Sequence, residues 1–187
     1  MGLKLYRIDS AIVHPDNYVK YKKDPKELRK FFGLGKGDAE KILRMKIFFD
    51  AGEAYDASNI ILTDYINSPV APLFSKRAVE ILMDRVCDEA LFVPVTIRCS
   101  GECYEWYACR IDKRVKLINE ETSVFSELTD GTKIISLARY RTDIEEGFYM
   151  AKDIDYNDVP IMSQSFKRIC DENNLNISFL NPEIHLA

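Results

Sequence analysis

What most limits the fold of this chain is a change of hydrophobic period near residue 91. Upstream, Val79, Leu82, Met83 and Val86 recur at the three-and-four spacing of a core-facing helix, behind a Ser75 that can cap its first turn. From Leu91 the step becomes two. Val93, Val95, Ile97 and Cys99 point one way, with Pro94, Thr96 and Arg98 the other. Ser100-Gly101-Glu102 reads as a three-residue turn. The return strand sets Tyr104, Trp106, Ala108 and Arg110 on one face and Tyr107, Cys109 and Ile111 on the other. Alternation cannot say which of these faces is buried.

The flanks carry similar signals. Leu3 to Ile8 alternates as a first strand, and residues 9 to 23 read as a polar surface loop. Asp24-Pro25-Lys26-Glu27 is a helix start, with Asp to cap, Pro in the first turn and Glu to complete a capping box. Gly33, Gly35 and Gly37 break that helix, and Asp38 caps a second with Ile42, Leu43, Met45 and Phe48 inward. Ile60 to Ile66, Val115 to Ile118, Lys133 to Ala138, Phe148 to Met150 and Ile177 to Leu180 are further strands. Asp130-Gly131 is a turn, and Ser163 caps a last helix that turns Phe166, Ile169 and Cys170 inward. The expected fold class is α+β, an antiparallel sheet flanked by a few helices, with a more helical N-terminal lobe. Residues 1–55 form that lobe, packed on an α+β domain over 56–187.

At 187 residues the chain can bury roughly 70% of its unfolded surface, so neither disulfides nor metals are needed for folding. A formal charge of −4 argues against sequence-independent nucleic-acid binding, which needs basic patches. The start, Met1-Gly2-Leu3-Lys4, lacks the apolar core of a secretory signal, and no apolar run approaches the length of a membrane span. Five cysteines, an odd number, fit a reducing cytoplasm.

Each candidate chemical motif is incomplete. Gly33-Leu34-Gly35-Lys36-Gly37 lacks the Ser or Thr that follows Lys in a phosphate loop, and it joins two helices. Asp153 to Asp158 resembles the start of a calcium loop, but position six is Asp158 instead of Gly and position twelve is Gln164 instead of Glu. Cys99, Cys103 and Cys109 lack a second ligand pair for zinc, and the two histidines, His14 and His185, lie near the chain ends. Glu120-Glu121 and Glu145-Glu146 read as solvated turns. No catalytic residue, metal site or cofactor is expected.

The order of segments from Ile61-Leu62-Thr63-Asp64, through Leu73-Phe74-Ser75-Lys76-Arg77, Phe92-Val93-Pro94-Val95, Tyr107, Leu117 to Ser123 and Pro160-Ile161-Met162-Ser163, to Leu175-Asn176-Ile177-Ser178-Phe179, resembles a family of bacterial polymorphic-toxin immunity proteins. That family is the Myxococcus-type immunity family eleven. Asn119 stands where the family has Asp, Asn176 where it tends to have Gly, and residues 1 to about 55 lie outside the resemblance. The resemblance implies a cytoplasmic, non-enzymatic protein that binds a cognate toxin domain and blocks it, across an interface of order 1,200–2,000 Å². It assigns no contact residue.

From residue type, the candidate contacts are Tyr104, Trp106 and Arg110, which are interface-enriched kinds, with Arg98 alongside. The acidic Glu120, Glu121, Asp153, Asp155 and Asp158 join them as attractors of a cationic partner. Neither nucleic acid nor membrane is an expected partner. Alternative functions are an adaptor or chaperone for a secreted effector, and a small enzyme using Cys or His.

Overall fold

A computed structural model describes residues 4–11, 19–52, 55–129, 131, 133–144, 147–156 and 159–183. It begins with β1 (Leu5–Ser10) and β2 (Val19–Lys20). Asp24 then accepts the N–H of Lys26 at 2.9 Å and starts α1 (Lys26–Leu28), which continues as a π-helical turn over Arg29–Gly33. Asp38 caps α2 (Ala39–Leu43) by accepting from Glu40 and Lys41. After β3 (Phe48–Ala51), Asp56 caps α3 (Ala57–Leu62), and β4 (Tyr65–Ile66) and β5 (Leu73–Ser75) follow. Ser75 caps α4 (Lys76–Val86), its hydroxyl accepting the Ala78 N–H at 3.0 Å. The central hairpin is β6 (Ala90–Cys99) and β7 (Glu102–Ile111). Then come β8 (Arg114–Val115), β9 (Val124–Glu127), β10 (Lys133–Leu137), β11 (Met150–Asp153) and β12 (Ile161–Ser163). Ser163 caps α5 (Gln164–Glu172), and β13 (Ile177–Leu180) follows.

Among the described residues these strands form three sheets. The largest runs β2-β3-β6-β7-β5-β4, with β3 parallel to β6. A second runs β13-β1-β12-β11-β8, with β8 parallel to β11. The third is the two-stranded ribbon β9-β10.

The β6–β7 hairpin separates two cores. Val93, Val95, Ile97, Trp106 and Ala108 face a cluster completed by Leu28, Phe31, Phe32, Ile42 and Phe49. Cys109 and Ile111 face the other, built from Phe74, Val79, Leu82, Met150, Met162, Phe166 and Cys170. Leu5, Leu117, Phe148, Ala151 and Ile161 make a third, smaller cluster.

Several expectations are corrected. The chain is predominantly β, its sheets are mixed and not a single antiparallel one, and the N-terminal segment is not a helical lobe. Its strands β1, β2 and β3 enter both large sheets, and its helices are short. Residues 60 to 62 are helical because the Asp56 cap overrides a locally apolar run, leaving Ile61 and Leu62 largely exposed. Leu43 and Met83 face solvent instead of the core. The hairpin turn has two central residues, since Cys99 pairs with Glu102 while Ser100 and Gly101 both take positive φ. Two left-handed residues match the twist of the flanking strands.

Candidate partner-binding surface

Three buried carboxylates fix the segments that carry the surface. Glu89, just after α4, accepts the N–H groups of Tyr149 and Met150 and so ties that end of the helix to β11. Asp64 accepts from the Ser75 hydroxyl at 2.5 Å, the Arg77 guanidinium at 3.0 Å and the Asn176 N–H at 2.8 Å. Asp153, 2% exposed, takes four backbone donors: Leu117 and Ile118 on one oxygen, Asp155 and Tyr156 on the other. Satisfying a buried carboxylate with backbone N–H groups turns a costly charge into a fixed joint.

That joint presents Lys116. Its ammonium donates to Asp155 at 2.6 Å and also to Glu120. The hydrogen bonds from Asp155 and Glu120 raise the Lys116 pKa, so the ammonium stays charged. Beside it, the Phe125 ring packs on Tyr156 at 5.6 Å and holds the ribbon to this corner. At the ribbon's base, Arg139 donates its N–H to the Ser123 hydroxyl, Asn119 donates to the Arg139 carbonyl, and Ile118 bridges Tyr140. β10 carries a bulge between Ile135 and Leu137. Val124 (50% exposed), Leu128 and Ile134 on the ribbon, and Ile154 beside it, present apolar side chains to solvent.

The candidate contact residues fall into two groups. Glu120, Glu121 and Asp155 come together around this corner, Glu121 through an Asn119 side chain that accepts its N–H. Trp106 is 2% exposed within the main core, and Tyr104 packs at that core's edge. Arg110 forks onto Asp112 at 2.8 and 3.1 Å and lies over the Phe31 ring at 4.4 Å. The Trp106 face of β7 is therefore interior, and Asp153 is a buried joint, so neither is offered to a partner. Asp158, Glu145, Glu146, His14 and His185 lie outside the described residues. Val124, Leu128 and Ile134 escaped the sequence reading. The signal available for two of them was a two-residue spacing that puts Val124 on one strand face with Ser126, and Ile134 with Ser136.

No family model matches the chain, and no curated protein does.

The remaining motifs have structural roles. Gly35 and Lys36 spend their N–H groups on the carbonyls of Phe31 and Lys30, closing the π-helical turn. All five cysteines are free; Cys99, Cys109 and Cys170 are buried and Cys87 and Cys103 exposed. Burial raises the Cys109 thiol and pushes Cys170 up to about 12. Among the described residues no three His, Cys, Asp or Glu side chains are grouped to hold a metal, and no helix is long and apolar enough to cross a membrane.

Proposed function

We propose that the protein works by pressing a surface against another polypeptide, as a cytoplasmic immunity protein that neutralises a cognate toxin domain by direct contact. What supports this reading is the β9–β10 ribbon, where Val124, Leu128 and Ile134 are exposed on the face opposite Phe125, while Glu120 and Asp155 gather around Lys116 at the corner against which Phe125 packs. An apolar patch rimmed by charge is the common form of a protein interface. The carboxylates outnumber Lys116, so the fitting partner carries lysine or arginine around an apolar contact. Opposite charge would speed the encounter and fix its orientation.

The test is co-expression with the toxin encoded by the neighbouring gene. The parent protein should restore growth and co-purify with the toxin domain. The pair Val124→Glu and Ile134→Glu should weaken the complex by about 2–4 kcal/mol while leaving the melting temperature in place, since both positions are exposed. Full protection by a folded double variant would remove the ribbon from the interface. An adaptor for a secreted effector gives a different pattern: its deletion impairs delivery without poisoning the producer.

A further inference from the structure

The formal net charge of −4 is an average over two oppositely charged parts of the chain. Residues 19–46, from β2 through α2, carry ten Lys and Arg against four Asp and Glu, a net +6 that leaves −10 on the remainder. All ten cations are exposed. Lys22, Lys41 and Arg44 are ion-paired to Asp50, Glu27 and Glu40. Lys23, Lys26, Arg29, Lys30, Lys36 and Lys46 have no ion pair among the described residues. Lys26, Lys30 and Lys36 converge on one shallow groove of about 490 Å³ between α1 and α2. Asp24, Glu27 and Asp38 also line it and are already counted in the net +6. Asp24 and Asp38 accept the N–H groups that open the two helices, and Glu27 holds Lys41 at 2.5 Å.

Charge of one sign gathered on one face is the electrostatic footprint of a polyanion. What the face lacks says which polyanion fits. Protein interfaces are poor in lysine and rich in aromatic residues, whereas five of these six unpaired cations are lysines and no aromatic side chain of residues 19–46 is exposed. Single-stranded nucleic acid is held by stacking bases on aromatic rings, so the same absence disfavours it. A helix lying on a membrane surface needs length, but α2 has five residues and α1 with its π-helical turn ends at Gly33. A duplex backbone asks only for closely spaced positive charge, since it carries one phosphate per about 1.7 Å of its axis.

We propose that the face built by residues 19–46 binds the phosphate backbone of a nucleic-acid duplex without reading its base sequence, through Lys23, Lys26, Arg29, Lys30, Lys36 and Lys46. The exclusion of nucleic acid made from net charge does not apply to such a face. The site shares no residue with the β9–β10 corner and does not rest on the neutralising role.

The experiment is fluorescence anisotropy of a labelled DNA duplex of about 20 base pairs, titrated with the full chain at several salt concentrations between about 50 and 200 mM. Separate arms use the single strand and polyglutamate. The duplex should bind with a Kd between about 1 and 100 μM at about 100 mM salt, and log K should fall against log salt with a slope between about −3 and −5. A second duplex of unrelated sequence should bind equally well. Lys26→Gln, Lys30→Gln and Lys36→Gln together remove three exposed charges, so the melting temperature should hold while binding weakens at least about tenfold and the slope shrinks by about 2 to 3. Lys23→Gln with Lys46→Gln, away from the groove, should shrink it by about 1 to 2 and gives an independent reading. Arg85→Gln with Arg168→Gln, exposed on α4 and α5, should change the affinity less than about threefold. The proposal falls if the duplex does not bind saturably at the lowest salt, or if the triple variant binds as tightly as the parent. Tighter binding of the single strand, or of polyglutamate, would reassign the face to that ligand and equally overturn it.

Discussion

Replacing Asp153 with alanine should be among the most damaging single changes outside the apolar cores. The carboxylate accepts from Leu117 and Ile118 at 2.8 Å each and from Asp155 and Tyr156 at 2.8 and 3.0 Å. The Leu117 and Ile118 donors are buried, and a buried N–H without an acceptor costs about 1–3 kcal/mol, so this pair accounts for about 2–6 kcal/mol. The other pair is partly buried, and water can take over as acceptor there. Asp153→Ala should therefore lose about 4 kcal/mol, whereas Asp153→Asn, keeping one oxygen for the buried pair, should lose about half of that. Urea unfolding read by the fluorescence of Trp106, the single tryptophan, gives both values from shifts in midpoint at constant slope. Amide exchange should accelerate at Leu117 and Ile118 before it does in β6 and β7. A loss under about 1 kcal/mol for the alanine variant would refute the idea that these four bonds hold the corner together.

Under native conditions at mild alkaline pH, a thiol reagent should label Cys87 and Cys103 quickly and leave Cys99, Cys109 and Cys170 unmodified until unfolding; fast labelling of a third thiol would contradict the packing. Burial raises Cys170 from 9.0 to about 12 and Tyr140 from 10.0 to about 12, so the unfolded chain ionises these groups first. Stability should thus fall as pH rises from 9 toward 12, and Cys170→Ala should flatten part of that slope in melting curves. Arg110→Ala, which loses the Phe31 stacking and the fork onto Asp112, should cost about 1–2 kcal/mol in urea unfolding. Arg110→Lys should recover less than half, because an ammonium cannot reproduce the fork.

The features legible in the sequence are those set by neighbouring residues. Asp38, Ser75 and Ser163 announce their helices because a cap needs only a side-chain oxygen and an N–H two or three positions on. The β6–β7 hairpin is legible because its alternation spans ten residues on each side of the turn. Partners chosen far along the chain were not legible. Phe48 reads as the last inward residue of a helix until β6 is there to pair with Phe48, Phe49 and Asp50 in parallel. Leu73 to Ser75 likewise looks like a helix entrance, although it also adds a strand beside β7. At the candidate surface, composition singled out the acidic residues and an aromatic strand. Only the elements packed on its two faces show that β7 is interior around Trp106, Ala108, Cys109 and Ile111, while its start at Glu102 and Cys103 stays exposed. Asp153 had the right chemistry for an acidic attractor, but its four donors come from two separate segments.

The placement of β1 bears on how the chain acquires its structure. Leu5 lies opposite Ser163, and Ser10 opposite Ile177, so β1 sits between two strands made long after it. Leu5 to Ser10 cannot take its place in that sheet until both Ile161–Ser163 and Ile177–Leu180 have been made. Closing so long a loop is entropically slow, and refolding in vitro should be limited by this late docking step and not by the hairpin, which can zip up on its own.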